Sequence, residues 1–179
     1  MISQAPPDPL SSQAKPPHCL TPAIAVKPLF DCLKQCVAQE AEGYLKQTGF
    51  REIEHTADRE LEVWAPDMAQ LLETAARGMN VISGVLTADQ VPQSRTIQFQ
   101  NADPETLLVD FLNELLYFVE TERLAFDQFH ITETGGIWEA RLSGKPIISQ
   151  EKEIKAVTFH RLEVRRTEQG LTVNIVFDV

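Results

Sequence analysis

The chain has 179 residues, of which 43% are hydrophobic and 23% are charged, and its formal net charge at pH 7 is −10. This is the composition of one ordinary globular domain, which at roughly 150 residues buries enough surface to fold without disulfides or a structural metal. No apolar run approaches the roughly 18 residues of a membrane span, and the N-terminus lacks the pattern of a signal peptide. These features argue against a membrane-spanning or secreted protein and indicate a cytoplasmic one.

The charge balance restricts the class of partner. The chain carries 26 acidic and 16 basic side chains. Proteins that bind nucleic acid unaided usually neutralise phosphates with a basic face, so we expect no direct nucleic-acid binding. A basic protein or a cation fits this charge.

Residues 1–45 differ in composition from the rest of the chain. Seven of the 11 prolines lie in the first 28 residues, which predicts disorder for most of this extension. Residues 29–42 have apolar side chains at helical spacing and could form one short helix. All three cysteines (Cys19, Cys32 and Cys36) lie here, without the spacing of a metal site. We therefore expect an extension at 1–45 and a folded domain at 46–179.

The first half of the domain predicts strands and two long helices. Residues 50–53 and 59–65 have the alternation of short strands, and residues 95–100 have that of a third. Asp67 can cap a helix, with Gln70 in a capping-box position and an apolar stripe from Met68 to Met79. Asp103, Pro104 and Glu105 form a strong start for a second helix.

The last third of the chain predicts strands alone. Residues 126–132 and 137–142 flank Gly135-Gly136, and residues 154–165 and 171–178 flank a turn near Gln169-Gly170. Together with the first half, this order predicts an α+β fold, in which two long helices pack on a mostly antiparallel sheet.

Common catalytic motifs are absent from the sequence, which holds no phosphate-binding glycine loop, no nucleophile elbow and no H-E-x-x-H. Polar residues instead gather in three short segments, two of which offer oxygen ligands. One is the loop from Glu54 to Asp58, which either supplies ligands or is a turn that bonds its own backbone. The other is Asp178-Val179, where a side chain and a terminal carboxylate suit a hard cation, unless the terminus is frayed.

A third segment spans residues 153–160. Lys155 opens the predicted strand 154–165 and could place a positive charge beside the carboxylates, or it could be an ordinary surface lysine. His160 shares parity with Leu162 and Val164, which favours a histidine facing the core.

Taken together, these segments resemble one family, the archeases. The resemblance rests on the loop His55-Thr56-Ala57-Asp58, on residues 71–79 and 107–117 of the two helices, on residues 153–160, and on Phe177-Asp178-Val179. The segments occur in this order over residues 48–179, and their combination is specific although no single one is.

The resemblance implies a small α+β protein that is not itself a catalyst. Archeases act as cofactors of RtcB-type RNA-splicing ligases, promoting guanylylation of the ligase histidine and multiple turnover. The family's metal site, described with calcium, falls on Asp58, Asp178 and the terminal carboxylate of Val179, with Mg²⁺ or Mn²⁺ as alternative ions. The lysine of the family's functional surface falls on Lys155, which we expect to face the ligase.

Other functions stay open at this point. A chaperone-like module for a tRNA-modifying enzyme, such as a tRNA methyltransferase, is the main alternative. A metal-dependent hydrolase and a purely structural domain are the others.

Overall fold

The computed structural model describes residues 48–54, 59–100 and 103–179. The predictions for residues 1–45, including the short helix, lie outside these residues. The described elements, in chain order, are β1 (Gly49–Glu54), β2 (Arg59–Ala65), α1 (Met68–Ile82), β3 (Leu86–Thr87), β4 (Gln93–Phe99), α2 (Pro104–Glu122), β5 (Leu124–Thr134), β6 (Ile137–Ser149), β7 (Ala156–Thr158), β8 (Arg165–Thr167) and β9 (Gly170–Asp178).

The strands form two antiparallel sheets. In the first sheet β9 is central, with β2 along one edge and both β7 and β8 along the other, and β1 pairs with the outer edge of β2. In the second sheet β6 is central and pairs with β3, β4 and β5. The predicted α+β fold with two long helices and antiparallel pairing is confirmed, and the strands divide between two sheets.

Helix α1 begins at the predicted cap, Asp67, and ends at Ser83. The side chain of Asp67 accepts a hydrogen bond from the backbone N–H of Gln70 at 2.9 Å, and the amide of Gln70 donates back to it at 2.7 Å. At the other end the hydroxyl of the buried Ser83 donates to the carbonyl of Met79. The predicted apolar stripe is buried, and it packs α1 against β1 and β2 of the first sheet and against β5 of the second.

Helix α2 begins at the predicted cap. Asp103 accepts from the backbone N–H of Thr106 at 2.8 Å, Pro104 occupies the first turn, and Glu105 places a carboxylate near the positive end of the helix dipole. The helix ends at Arg123, whose left-handed backbone (φ 52°) stops the helical pattern. No helix among the described residues has both the length and the apolar character needed to cross a membrane.

One core lies between the helices and both sheets. It includes Leu61, Val63, Val173, Ile175 and Phe177 from the first sheet, and Phe126, Ile131, Ala140 and Leu142 from the second. Both helices contribute their apolar faces to the same cluster. A smaller cluster of Val119, Ala125 and Ile147 lies beside it.

The predicted strand 154–165 is wrong in its middle part. Among the described residues 154–167, those of β7 and β8 pair with β9, and residues 159–164 form a turn between these two strands. Arg161 has a left-handed backbone (φ 54°), which interrupts the two-residue alternation of a strand. His160 is therefore exposed, and its prediction as a core histidine is wrong.

Candidate functional site

The predicted residues Lys155, Asp178 and Val179 meet at one end of β9. The backbone N–H of Lys155 donates to the carbonyl of Asp178 at 2.8 Å, and Ala156 pairs with Asp178 in the ladder. The Lys155 ammonium donates to the main-chain oxygen of Val179 at 3.0 Å. The structure therefore brings these three residues together on an exposed end of the first sheet.

The short strand β7 holds Lys155 in this position. Its Val157 is buried and lies opposite Phe177. The backbone N–H of Val157 points away from β9 and is satisfied by the side-chain oxygen of Asn113 on α2, at 3.3 Å. Because an unpaired strand edge is costly, this contact with α2 stabilises the strand that positions Lys155.

Sequence reasoning missed this role of Asn113. The residue lies in the helical segment 107–117 that carries part of the family resemblance, but helical periodicity shows only that it is polar and exposed. A signal was present, because Asn is a weak helix former in a strongly helical segment. Its hydrogen bond to a strand 44 positions away needs the tertiary structure to be seen.

Asp58 lies outside the described residues, so its proximity to the other three stays a prediction. The strand ends that flank residues 55–58 are described. Glu54 pairs with Arg59, and Arg59 pairs with Phe177, the residue before Asp178. Since paired strands lie about 4.8 Å apart, Arg59 lies beside the end of β9, and Glu54 lies one strand further out on β1.

The oxygen ligands at this end of β9 are of the type that a hard cation prefers, but they are fewer than such a cation needs. The exposed Asp178 carboxylate and the Val179 oxygen are the kind of ligand that Ca²⁺ and Mg²⁺ prefer. Calcium takes about six to eight oxygen ligands, more than these two groups supply. Among the described residues, no group of three or more His, Cys, Asp and Glu side chains is placed to hold a metal. A third carboxylate, as predicted for Asp58, would make this end of the sheet a plausible cation site.

A groove of about 440 Å³ adjoins the start of this segment. Its lining includes Glu120 and Arg123 at the end of α2 and Gln150, Glu153 and Ile154 before β7. Ile154 is buried and directly precedes Lys155, so the groove opens next to the lysine along the chain. Lys155 itself is exposed and is not among the residues that line the groove.

Comparison with known proteins shows which family this chain resembles. A sequence model described as the Archease protein family (MTH1598/TM1083) matches residues 50–179. Proteins named archease from Methanosarcina barkeri and Methanosarcina mazei are 33% and 34% identical to the chain, and each alignment covers 71% of this chain and 93% of the relative.

Solved structures agree with this assignment. A crystal structure of an archease from Thermotoga maritima, described as a possible chaperone, has a TM-score of 0.57 and 25% identity, and covers 72% of this chain and 96% of that one. The solution structure of protein 1598 from Methanobacterium thermoautotrophicum shows the same fold, with a TM-score of 0.56 at 23% identity, and covers 73% of this chain and 99% of that one. On the strength of the family match and these relatives, the chain belongs to the archease family.

Proposed function

We propose that this protein is a non-catalytic cofactor of an RtcB-type RNA ligase, which it activates by promoting guanylylation and multiple turnover. Membership of the archease family supports a role as a protein that acts on another protein. The observation that carries the proposal is the placement of Lys155 against Val179 and beside Asp178, on an exposed sheet end. A partner can reach all three groups there.

We propose further that Asp58, Asp178 and Val179 bind a divalent cation, most simply Ca²⁺, with Mg²⁺ or Mn²⁺ as alternatives. Asp178, held by the ladder between β7 and β9, contributes a carboxylate, and Val179 contributes an oxygen that accepts from the Lys155 ammonium. When bound, such an ion would polarise phosphoryl oxygens and offset developing negative charge during nucleotidyl transfer. Lys155, tethered to Val179, adds a fixed positive charge at the same place.

A multiple-turnover ligation assay tests the proposal. Limiting ligase is supplied with excess RNA, with and without this protein, and we expect more than one ligation per ligase molecule only when it is present. Asp178→Ala is expected to lose this stimulation because it removes a carboxylate from the exposed site. Asp127→Ala is the matched control, since Asp127 is also an exposed aspartate but lies in the second sheet.

A second measurement separates metal binding from activation. Calorimetric titration of the isolated protein with Ca²⁺ is expected to show binding that Asp178→Ala loses and Asp127→Ala keeps. Stimulation by Asp178→Ala equal to that of the unmodified protein would contradict the proposed site. Absence of stimulation by the unmodified protein would contradict the proposed function itself.

The description of the Thermotoga maritima relative as a possible chaperone favours a second candidate function. In that case the protein would stabilise a tRNA-modifying enzyme, such as a tRNA methyltransferase, against aggregation. Suppressed thermal aggregation of the methyltransferase, together with no effect on ligation, would favour this candidate over the first.

A further inference from the structure

Residues 159–164, here named the Phe159 turn, interrupt an otherwise continuous strand. Because β2 occupies one edge of β9, β7 and β8 must share its other edge. β7 pairs with residues 176–178 and β8 with residues 170–172. The Phe159 turn therefore leaves the sheet opposite residues 173–175, where the ladder could have continued. The side chains of the turn therefore do not follow the alternation of the strands on either side.

The Phe159 turn is anchored to the rest of the protein at its far end. The backbone N–H of Val164 donates to the carboxylate of Glu105 on α2 at 2.7 Å, and the N–H of Leu162 donates to the carbonyl of Phe159 at 3.2 Å. The side chains of Leu162 and Val164 pack against the core. These contacts hold Arg161 in a left-handed conformation (φ 54°) that a residue with a Cβ rarely adopts.

The tip of the turn presents an aromatic ring and a cation to solvent. Phe159 is 57% exposed, although burial of an aromatic side chain is strongly favourable. His160 and Arg161 are exposed, and among the described residues the Arg161 side chain forms no hydrogen bond or ion pair. Arg161 thus carries a positive charge that no described residue neutralises, on a chain of net charge −10.

These features are typical of a protein-binding surface. Aromatic residues and arginine are enriched where proteins meet, and they often contribute most of the binding energy. An anchored backbone also lowers the entropic cost of presenting these side chains. Only the three residues of β7 separate Phe159 from Lys155, a distance of about 13 Å along the strand, so one partner can contact both.

We propose that the Phe159 turn is a docking element for the partner protein, with Phe159 entering an apolar pocket and Arg161 facing carboxylates at the rim of that pocket. This inference rests on the proposed function, because the partner is the ligase. The positive charge of Arg161 favours carboxylates at the rim of the partner's pocket, and the ring of Phe159 favours an apolar interior. A protein surface can supply both. The turn thus binds the partner, while the end of β9 acts on its active site.

Binding of the purified full-length protein to the ligase, measured by calorimetry, tests this inference. Phe159→Ala is expected to raise the dissociation constant at least about tenfold. Arg161→Gly is expected to weaken binding about five- to tenfold while keeping the fold, because glycine accepts the left-handed backbone without strain. Arg161→Asn, which also tolerates this backbone but is uncharged, is expected to weaken binding as much as Arg161→Gly.

Val91→Ala is the matched control. Val91 is 84% exposed and lies between the β3 and β4 strands of the second sheet, so its loss is expected to leave binding unchanged. Thermal midpoints of the Phe159 and Arg161 variants are expected to stay within a few degrees of the unmodified protein, since neither side chain is buried.

The possible results separate the two proposals. If the unmodified protein binds the ligase and Phe159→Ala and Arg161→Gly bind equally well, the docking inference is overturned and the proposed function survives. If these variants lose affinity for RNA and keep affinity for the ligase, the turn contacts nucleic acid and the inference is again overturned. If the unmodified protein does not bind the ligase, both proposals fail.

Discussion

At the scale of single residues, Glu73 is a half-buried carboxylate on α1 whose surroundings disfavour its charge. Burial raises the pKa of Glu73 above its ordinary value of 4.5, and the positive charge of Arg77 and the backbone of Ile131 offset this only in part. Arg77 lies 3.6 Å from the carboxylate. Because the carboxyl group of Glu73 binds its proton more tightly in the folded state than in the unfolded state, protonation of Glu73 stabilises the fold. This stabilisation is complete below about pH 4 and is lost as the pH rises through the pKa of Glu73 in the folded protein.

Glu73→Gln is therefore expected to stabilise the protein at pH 7 by up to about 1 kcal/mol, since a neutral amide avoids the cost of burying a charge. The difference from the unmodified protein should disappear as the pH falls to about 4, where Glu73 is itself protonated. Urea denaturation at a series of pH values measures this difference. If the stability gained by Glu73→Gln over the unmodified protein were smaller at pH 7 than at pH 4, the direction of the pKa shift would be contradicted.

The candidate site was predictable residue by residue only in part. The residue types at Lys155, Asp178 and Val179 suggested ionic chemistry, and the structure places these residues side by side. The alternation of apolar residues could not predict the hydrogen bond from Val157 to Asn113 that stabilises the strand next to Lys155, because this bond joins a strand to a helix distant in sequence. The contribution of Asp58 stays a prediction.

At the scale of elements, the second sheet depends on close contact between β5 and β6 at Gly144. This residue lies opposite Phe126, where Asp127 forms a bulge in β5, and it also pairs with Gln93 of β4. A Cβ atom at Gly144 would lie 2.1 Å from the carbonyl oxygen of Ala125. Backbone atoms on the bulged strand cannot move away as a flexible side chain could.

Gly144→Ala is accordingly expected to lower the free energy of unfolding by more than about 3 kcal/mol. Gly135→Ala is the comparison, because a Cβ there meets nothing within 4 Å and the only cost is the left-handed backbone (φ 62°), about 1 kcal/mol. Denaturant titration of both variants measures the two values. Equal losses for both glycines would show that the contact with Ala125 relaxes.

Elements with their own local signals were predicted well, and those that depend on neighbours were not. The caps at Asp67 and Asp103 and the turn at Gly135-Gly136, where both glycines have positive φ, confirm predictions made from short motifs. The two-residue strand β3 was missed because its exposed residues have no alternation. The strand predicted at 154–165 failed because Leu162 and Val164 reach the core from a turn, which preserves an apolar pattern without a ladder.

At the scale of the whole molecule, the two sheets share one core and both pack on α1. Among the described residues, neither sheet has a separate set of buried apolar residues of similar size, since the buried members of the second cluster are Val119, Ala125 and Ile147. The sheets are therefore expected to unfold together in one cooperative transition.

The two tryptophans of the sequence allow this expectation to be measured. Trp64 lies on β2 of the first sheet and Trp138 on β6 of the second. In each of the single-tryptophan variants Trp64→Phe and Trp138→Phe, we expect the urea transition followed by fluorescence to coincide with the one followed by backbone circular dichroism. We also expect the transitions of the two variants to have the same cooperativity. A fluorescence change that clearly precedes the loss of circular dichroism in either variant would show that one sheet unfolds before the other.

The position of β9 in the first sheet has a consequence for synthesis on the ribosome. The hydroxyl of Thr172 donates to the carbonyl of Val63, 109 positions earlier in the chain, so β2 gains its inner neighbour only after nearly all other elements have emerged. At roughly 5–20 residues per second, the nascent hairpin of β1 and β2 waits about 5–20 seconds for that neighbour. During this interval its open edge can recruit other strands, and translation speed through the later part of the message therefore affects the yield of native protein.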